Sequence, residues 1–140
     1  MEKERIIRTE SALLKGARKY FEKQGFTEVV VPHITRGTGA CENIDTMFSV
    51  DWFGGRQAYL CQTGQLYLET LLTPESTIKK TWCYGPSFRA EPKVDTRHLA
   101  EFPLIELEFA GNFNELLTHI EGVVNSMVYE ATGKELELPF

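Results

Sequence analysis

The chain is 140 residues long, enough to bury one core but short for an enzyme with two substrate pockets. With 42% hydrophobic and 25% charged residues, and no low-complexity run or solenoid-length repeat, the composition is that of a folded globular protein and argues against disorder. The net charge of -5 argues against a general affinity for nucleic acid, which needs a basic, counterion-releasing face, and leaves only a local basic loop for that purpose.

The first predicted element is a long amphipathic helix from Glu2 to Gln24, with Ile6, Ile7, Leu13, Leu14, Ala17, Tyr20 and Phe21 at helical spacing and Gly25 placed to end it. "FTEVVVP" reads as a β-branched strand stopped by Pro32. The polar, aperiodic stretch from Arg36 to Asp45 reads as a loop. "TMFSVDWFGGRQAYLCQTG" then has the pattern of a hairpin turning at Gly54-Gly55, and "GQLYLETLL" that of a short helix. "IKKTWCYGPSFRAE" is expected to be a strand interrupted near Gly85-Pro86. "FPLIELEFA" alternates cleanly: Ile105, Leu107 and Phe109 share one face, while Phe102, Leu104, Glu106 and Glu108 share the other. Asn112 or Asn114 caps a final helix with apolar positions from Leu116 to Ala131, ending at Gly133. Too few crossover helices are present for a doubly wound parallel sheet, so the expected class is α+β, an antiparallel sheet flanked by helices, in a single domain over residues 1–140.

No apolar run approaches the roughly 18 residues of a membrane span, and the N-terminal ten residues are charged, so a cytoplasmic protein is expected. Cys41, Cys61 and Cys83 form no CxxC pair, and His33, His98 and His119 have no ligand-like neighbours. Neither a disulfide framework nor a zinc site is indicated.

The charges concentrate in "FRAEPKVDTRHLAEF", Phe88 to Phe102. As a hairpin, this segment pools a permanent cation (Arg89), a carboxylate (Glu91), a histidine (His98) and an aromatic ring (Phe102). That set suits a nucleotide: guanidinium for phosphate, ring for base, carboxylate for an exocyclic amine. The competing reading is a solvated hairpin tip whose ion pairs contribute about 0–1 kcal/mol each.

"FRAE" followed by "RHLAEF" and a strand resembles the second signature motif of class II aminoacyl-tRNA synthetases, in the aspartyl, asparaginyl and lysyl subgroup. The long helix with "FTEVVVP", closing at Pro32, resembles the first motif, and "GACENIDTMF" and "QTGQLYLET" resemble the asparaginyl branch, including archaeal synthetase-related proteins. The resemblance implies an ATP-dependent ligase that forms an amino-acid adenylate. It implies that Arg89 is the catalytic cation on the α-phosphate, that Glu91 accepts from the adenine amine or the tRNA end, that His98 meets the outer phosphates, and that Phe102 stacks under adenine. It places Gln65 at the amino acid's ammonium group, Glu106 at its side-chain amide and Glu42 in a loop over the substrate, with Glu108 as a candidate magnesium ligand. Aspartate-specific members carry a lysine where this chain has Leu68. With no cation there and an acceptor at Glu106, asparagine is preferred to aspartate, since a buried charge without a partner is costly.

The third motif, a glycine-rich strand and helix with an arginine for the γ-phosphate, has no counterpart after Phe109. The resemblance therefore implies the N-terminal half of a catalytic domain, without an anticodon-binding domain although tRNA is the family's acceptor. It also implies a homodimer through the first helix and the strand ending at Pro32. Alternative readings are a non-catalytic paralogue that binds a nucleotide or amino acid, and a dimerisation module.

Overall fold

The computed structural model describes residues 1–37, 43–93 and 95–136. It divides into two compact units, one formed by Met1–Thr27 with Ala110–Phe140 and the other by Glu28–Phe109.

The first unit is a helix pair. Helix α1 (Glu2–Lys23) carries Glu2 and Glu4 in its first turn and Lys23 in its last, each charge complementing the helix dipole. The chain leaves it through Gly25, at a positive φ of 75° that only glycine adopts without strain. Helix α3 (Phe113–Thr132) begins with a capping box: Asn112 accepts from the backbone N–H groups of Asn114 and Glu115, and the Glu115 side chain accepts from the Asn112 N–H. It ends at the left-handed Gly133. The two helices meet through glycines. A Cβ on Gly16 would lie 2.4 Å from the Ser126 carbonyl oxygen, and one on Gly122 would lie 2.3 Å from the Tyr20 ring. The Ser126 hydroxyl donates to the Gly16 carbonyl at 2.7 Å, and the Tyr20 hydroxyl meets His119 Nδ1 at 2.9 Å.

The second unit holds two three-stranded sheets. In one, β2 (Ile34–Thr35), β4 (Arg56–Leu60) and β3 (Ser49–Trp52) lie in the order β2-β4-β3, and the β3–β4 turn passes through Gly54 and Gly55 at φ of 71° and 70°. In the other, β5 (Lys80–Phe88) is central between β1 (Thr27–Glu28) and β6 (Glu101–Phe109). The short helix α2 (Gln65–Thr70) buries Leu68 against Val31 and Cys83. These elements give the expected α+β class. Among the described residues no helix is long and apolar enough to cross a membrane.

Two local expectations are corrected. "FTEVVVP" contributes only Thr27 and Glu28 as assigned strand, plus a Val29 N–H bond to the Trp82 carbonyl; Val30 is 91% exposed. Its β-branched residues favour extended backbone, but a ladder also needs a partner strand. Conversely, β5 is not interrupted at Gly85-Pro86. Pro86 stands opposite Pro103, and the Phe88 N–H turns away from β6 to the Cys61 carbonyl while the Arg89 N–H donates to the Ala100 carbonyl. Two residues before Phe88, the Pro86 nitrogen therefore points away from β6, where the β5–β6 ladder needs no donor.

Gly16→Ala separates helix propensity from packing. Propensity alone would stabilise the chain by about 1 kcal/mol. The clash with backbone atoms of α3 outweighs this, and a net loss of about 1–3 kcal/mol is expected in denaturant unfolding.

Candidate functional site

The β5–β6 register places Cys83 opposite Glu106 and Ser87 opposite Phe102. Because side chains alternate, Cys83, Gly85, Ser87 and then Arg89 share a face with Phe102, Leu104, Glu106 and Glu108. At the hairpin end of this face, Arg89, Glu91, His98 and Phe102, together with Arg97 and Leu99, line a cleft of about 300 Å³. All four residues expected at a nucleotide are thus brought together. Arg97 adds a second guanidinium that the motif comparison did not single out, although it lies within the charged stretch.

Arg89 and His98 each have a positioning partner. Arg89 Nε donates to the Ser87 hydroxyl at 3.3 Å, and that hydroxyl donates to the Gln62 carbonyl at 2.8 Å. The guanidinium thus folds back along the sheet face, 5.8 Å from the centre of the Phe102 ring. His98 Nδ1 lies 2.9 Å from Asp95 Oδ1, and the same oxygen accepts from the Arg97 and His98 N–H groups. These bonds, the Arg97 N–H foremost, hold the Asp95 carboxyl below its usual range. They also leave His98 Nε2 as the ring atom available to a ligand. Gln62 is fully buried, and its amide donates toward the Asn43 carbonyl and the carbonyl and hydroxyl of Thr46.

Glu106 lies four residues from Phe102, about 13 Å along the strand. Its carboxylate accepts from the Thr63 hydroxyl and, at 2.8 Å, from the Gly64 N–H, which fixes it against the start of α2. An ionised carboxylate has about four acceptor positions, so these two donors leave capacity for a ligand amide. Gln65 has its backbone N–H on Thr63 Oγ1 at 3.0 Å and its amide on Glu69 at 2.8 Å. Leu68 is wholly buried in the α2 core and presents nothing to a substrate. Glu42 lies outside the described residues. The Glu108 carboxyl is held above its usual range by burial and then by the charges of Glu69 and Glu106. Among the described residues, no group of three or more His, Cys, Asp or Glu side chains converges as a metal cage.

Gly64 allows a close approach where α2 meets the sheet: a Cβ there would stand 3.0 Å from Cys83 Sγ and 3.2 Å from the Val31 methyl carbons. The Cys83 thiol is fully buried beside Glu106; burial, then the Glu106 charge and Cys61, push its pKa up to about 12. Cys61 is raised for the same leading reason. Neither thiol is a nucleophile near neutral pH.

The whole chain, residues 1–140, matches the family model described as tRNA synthetases class II (D, K and N). It is 39% identical over 137 residues to an asparagine-tRNA ligase of Pelotomaculum thermopropionicum, covering 95% of this chain and 30% of that protein. It is 41% identical over 105 residues to an asparagine-tRNA ligase of Sorangium cellulosum, covering 75% and 22% respectively. Among solved structures, the asparaginyl-tRNA synthetase from Pyrococcus horikoshii complexed with asparaginyl-adenylate superposes with a TM-score of 0.84 at 34% identity, over 93% of this chain and 29% of that one. The chain therefore spans less than a third of the length of these relatives.

The buried thiol makes stability depend on alkaline pH. In the unfolded chain Cys83 ionises near about 8.5, whereas in the folded chain it stays protonated up to about 12. Between those values the unfolded state binds fewer protons, so the contribution is complete below about pH 8.5 and is lost as pH rises toward about 12. The denaturant midpoint is expected to fall between about pH 8 and about pH 10, and Cys83→Ala should flatten that slope. Cys61 and Tyr20, also raised by burial, keep it from vanishing.

Proposed function

Because this chain belongs to the class II tRNA synthetases of the D, K and N group, we propose that it binds ATP and asparagine on the β5–β6 face as the substrates of adenylate formation. The observation that carries this reading is the convergence of Arg89, Glu91, His98 and Phe102 on one cleft. Arg89 takes the α-phosphate and offsets the charge that builds when the asparagine carboxylate attacks phosphorus and pyrophosphate departs. His98, steadied by Asp95, meets the outer phosphates together with Arg97. Phe102 stacks on adenine, and Glu91 accepts from its amine or from the tRNA end.

About 13 Å along the strand, Glu106 accepts from the asparagine amide and Gln65 meets the ammonium group. The apolar, buried Leu68 supports asparagine over aspartate, because no cation is offered at that position. Magnesium fits this site as a companion of the ATP phosphates. The ion favours phosphate oxygens and water over an all-protein cage, and Glu108, about 20 Å along the strand from Phe102, stands too far from the Arg89 cleft to be assigned to it. When bound, the ion neutralises phosphate charge during transfer. We place the chain in the cytoplasm and assign tRNA as the acceptor. The exposed Val30 beside Pro32, and Ile6 and Ile7 exposed on α1, support self-association through the first motif.

Titration calorimetry and ATP–pyrophosphate exchange test this reading. ATP is expected to bind, and Arg89→Ala to weaken it by about 10-fold or more, the loss of a charge-assisted hydrogen bond. Asparagine and not aspartate should bind alongside. Without a third-motif arginine, exchange by the 140-residue polypeptide should be weak or absent. ATP binding that ignores Arg89→Ala would remove the basis for the assignment.

A further inference from the structure

A second cleft, of about 470 Å³, lies over the β2-β4-β3 sheet and shares no lining residue with the Arg89 cleft. Arg36, Arg56 and Trp52 are among its walls, and Ala58 forms its small, buried floor. The placement follows from the ladder. Trp52 stands opposite Arg56 and Val50 opposite Ala58, so Trp52, Arg56 and Ala58 share one face of the hairpin. On β2, Ile34 stands opposite Leu60, and its neighbour two residues on is Arg36.

Three features of this cleft are unusual for an acidic chain of net charge -5. Two arginines converge there, and among the described residues no carboxylate forms an ion pair with either. Arg56 Nε donates to the Phe53 carbonyl at 3.3 Å, which steadies the side chain, and among the described residues its terminal nitrogens are left for a ligand. The adjacent carboxylate, Asp51, does not line the cleft and is engaged by Gln57, a lining residue that stands opposite it and whose amide donates to it at 3.0 Å. Finally, the hairpin tip exposes two aromatic rings. Trp52 is 40% and Phe53 78% exposed, and their rings meet edge to face with centres 5.2 Å apart.

Guanidinium groups that no described carboxylate neutralises, beside exposed, mutually braced aromatic rings, suit a single-stranded polynucleotide. Guanidinium forks match phosphate oxygens, and a flat ring accepts an unpaired base of any identity. A mononucleotide would engage one phosphate and one ring. One arginine on β4 and another just beyond the end of β2, in a cleft that Trp52 also lines, instead suit the phosphates on either side of a stacked base. We propose that the β2-β4-β3 face is a binding site for an unpaired RNA strand, with a base stacked on Trp52 and flanking phosphates on Arg36 and Arg56. The site is independent of ATP binding at Arg89, so either assignment can fail without the other.

The test is fluorescence anisotropy of a labelled single-stranded RNA of about eight nucleotides, titrated with the full chain at several salt concentrations. Trp82, 2% exposed, reports folding of each variant through its emission. Replacing both arginines, Arg36→Gln with Arg56→Gln, should weaken binding about 10-fold or more and lower the salt slope by about 1.4, the contribution of two single-strand phosphates. Trp52→Leu should weaken it by about 5- to 100-fold, and Trp52→Tyr, which keeps a ring, should restore most of the loss. Quenching of Trp52 by the RNA, but not by an abasic strand of equal length, would further support stacking. The proposal is overturned if the RNA does not bind, if binding survives these substitutions in folded protein, or if a nucleoside monophosphate or the abasic strand binds as tightly as the RNA.

Discussion

The antiparallel pairing of β5 with β6 sets Ser87 against Phe102 and Cys83 against Glu106, and the proposed substrate face exists only in that register. Side chains alternate along a strand, so a slip of one residue would carry Phe102, Glu106 and Glu108 to the opposite face and bring Ile105 and Leu107 to theirs. Two features pin the pairing. Trp82 and Leu107 stand opposite each other on the apolar face, and Trp82 is almost wholly buried there. The facing prolines, Pro86 and Pro103, fit only where both nitrogens point out of the β5–β6 ladder; a one-residue slip would leave a ladder carbonyl without its donor.

On this frame the polar side chains are held before any ligand arrives. Gln62, buried and satisfied by Asn43 and Thr46, offers its carbonyl to Ser87, and Ser87 in turn receives Arg89 Nε. Orienting a guanidinium through a buried backbone carbonyl and a hydroxyl reduces the rotamer freedom it must lose when phosphate binds. Glu106 is held in the same way by Thr63 and Gly64. The same charge raises the Cys83 thiol, so an acidic residue fixed near the core also keeps its neighbouring sulfur protonated.

Much of this arrangement was legible in the chain itself. The alternation from Phe102 to Phe109 gives the correct faces, the Gly54-Gly55 pair locates the turn, and Asn112, one of the two caps the sequence offers, starts α3. What was hidden depends on contacts distant in sequence. Gly16 and Gly122 read as weak helix residues until α1 and α3 are seen to touch at those points. Thr63 and Ser87 carry no motif, and their roles appear only once α2 and β5 bring them to Glu106 and Arg89. Pro86 reads as a break because a single strand does not show which side of the ladder each nitrogen faces. The cleft at Trp52 was missed because Arg36 and Arg56, twenty residues apart, look like scattered surface charges until the sheet closes between them.

The acidic net charge and the cationic clefts are compatible because electrostatics act locally, screened within about 8 Å at physiological salt. Along the β5–β6 face the charges are sorted by position. Arg89, Arg97 and His98 stand at the hairpin end, where among the described residues Glu91 is the one carboxylate lining the cleft and Asp95 is engaged by His98. Glu106 and Glu108 stand farther along the same face, close enough to Glu69 for burial and mutual repulsion to raise the Glu108 carboxyl. Six residues of strand, about 20 Å, separate Phe102 from Glu108, more than twice the screening length. A ligand with phosphate at one end and an ammonium or amide at the other therefore meets favourable fields at both ends in one orientation and unfavourable fields in the reverse. The sheet imposes that polarity through register alone.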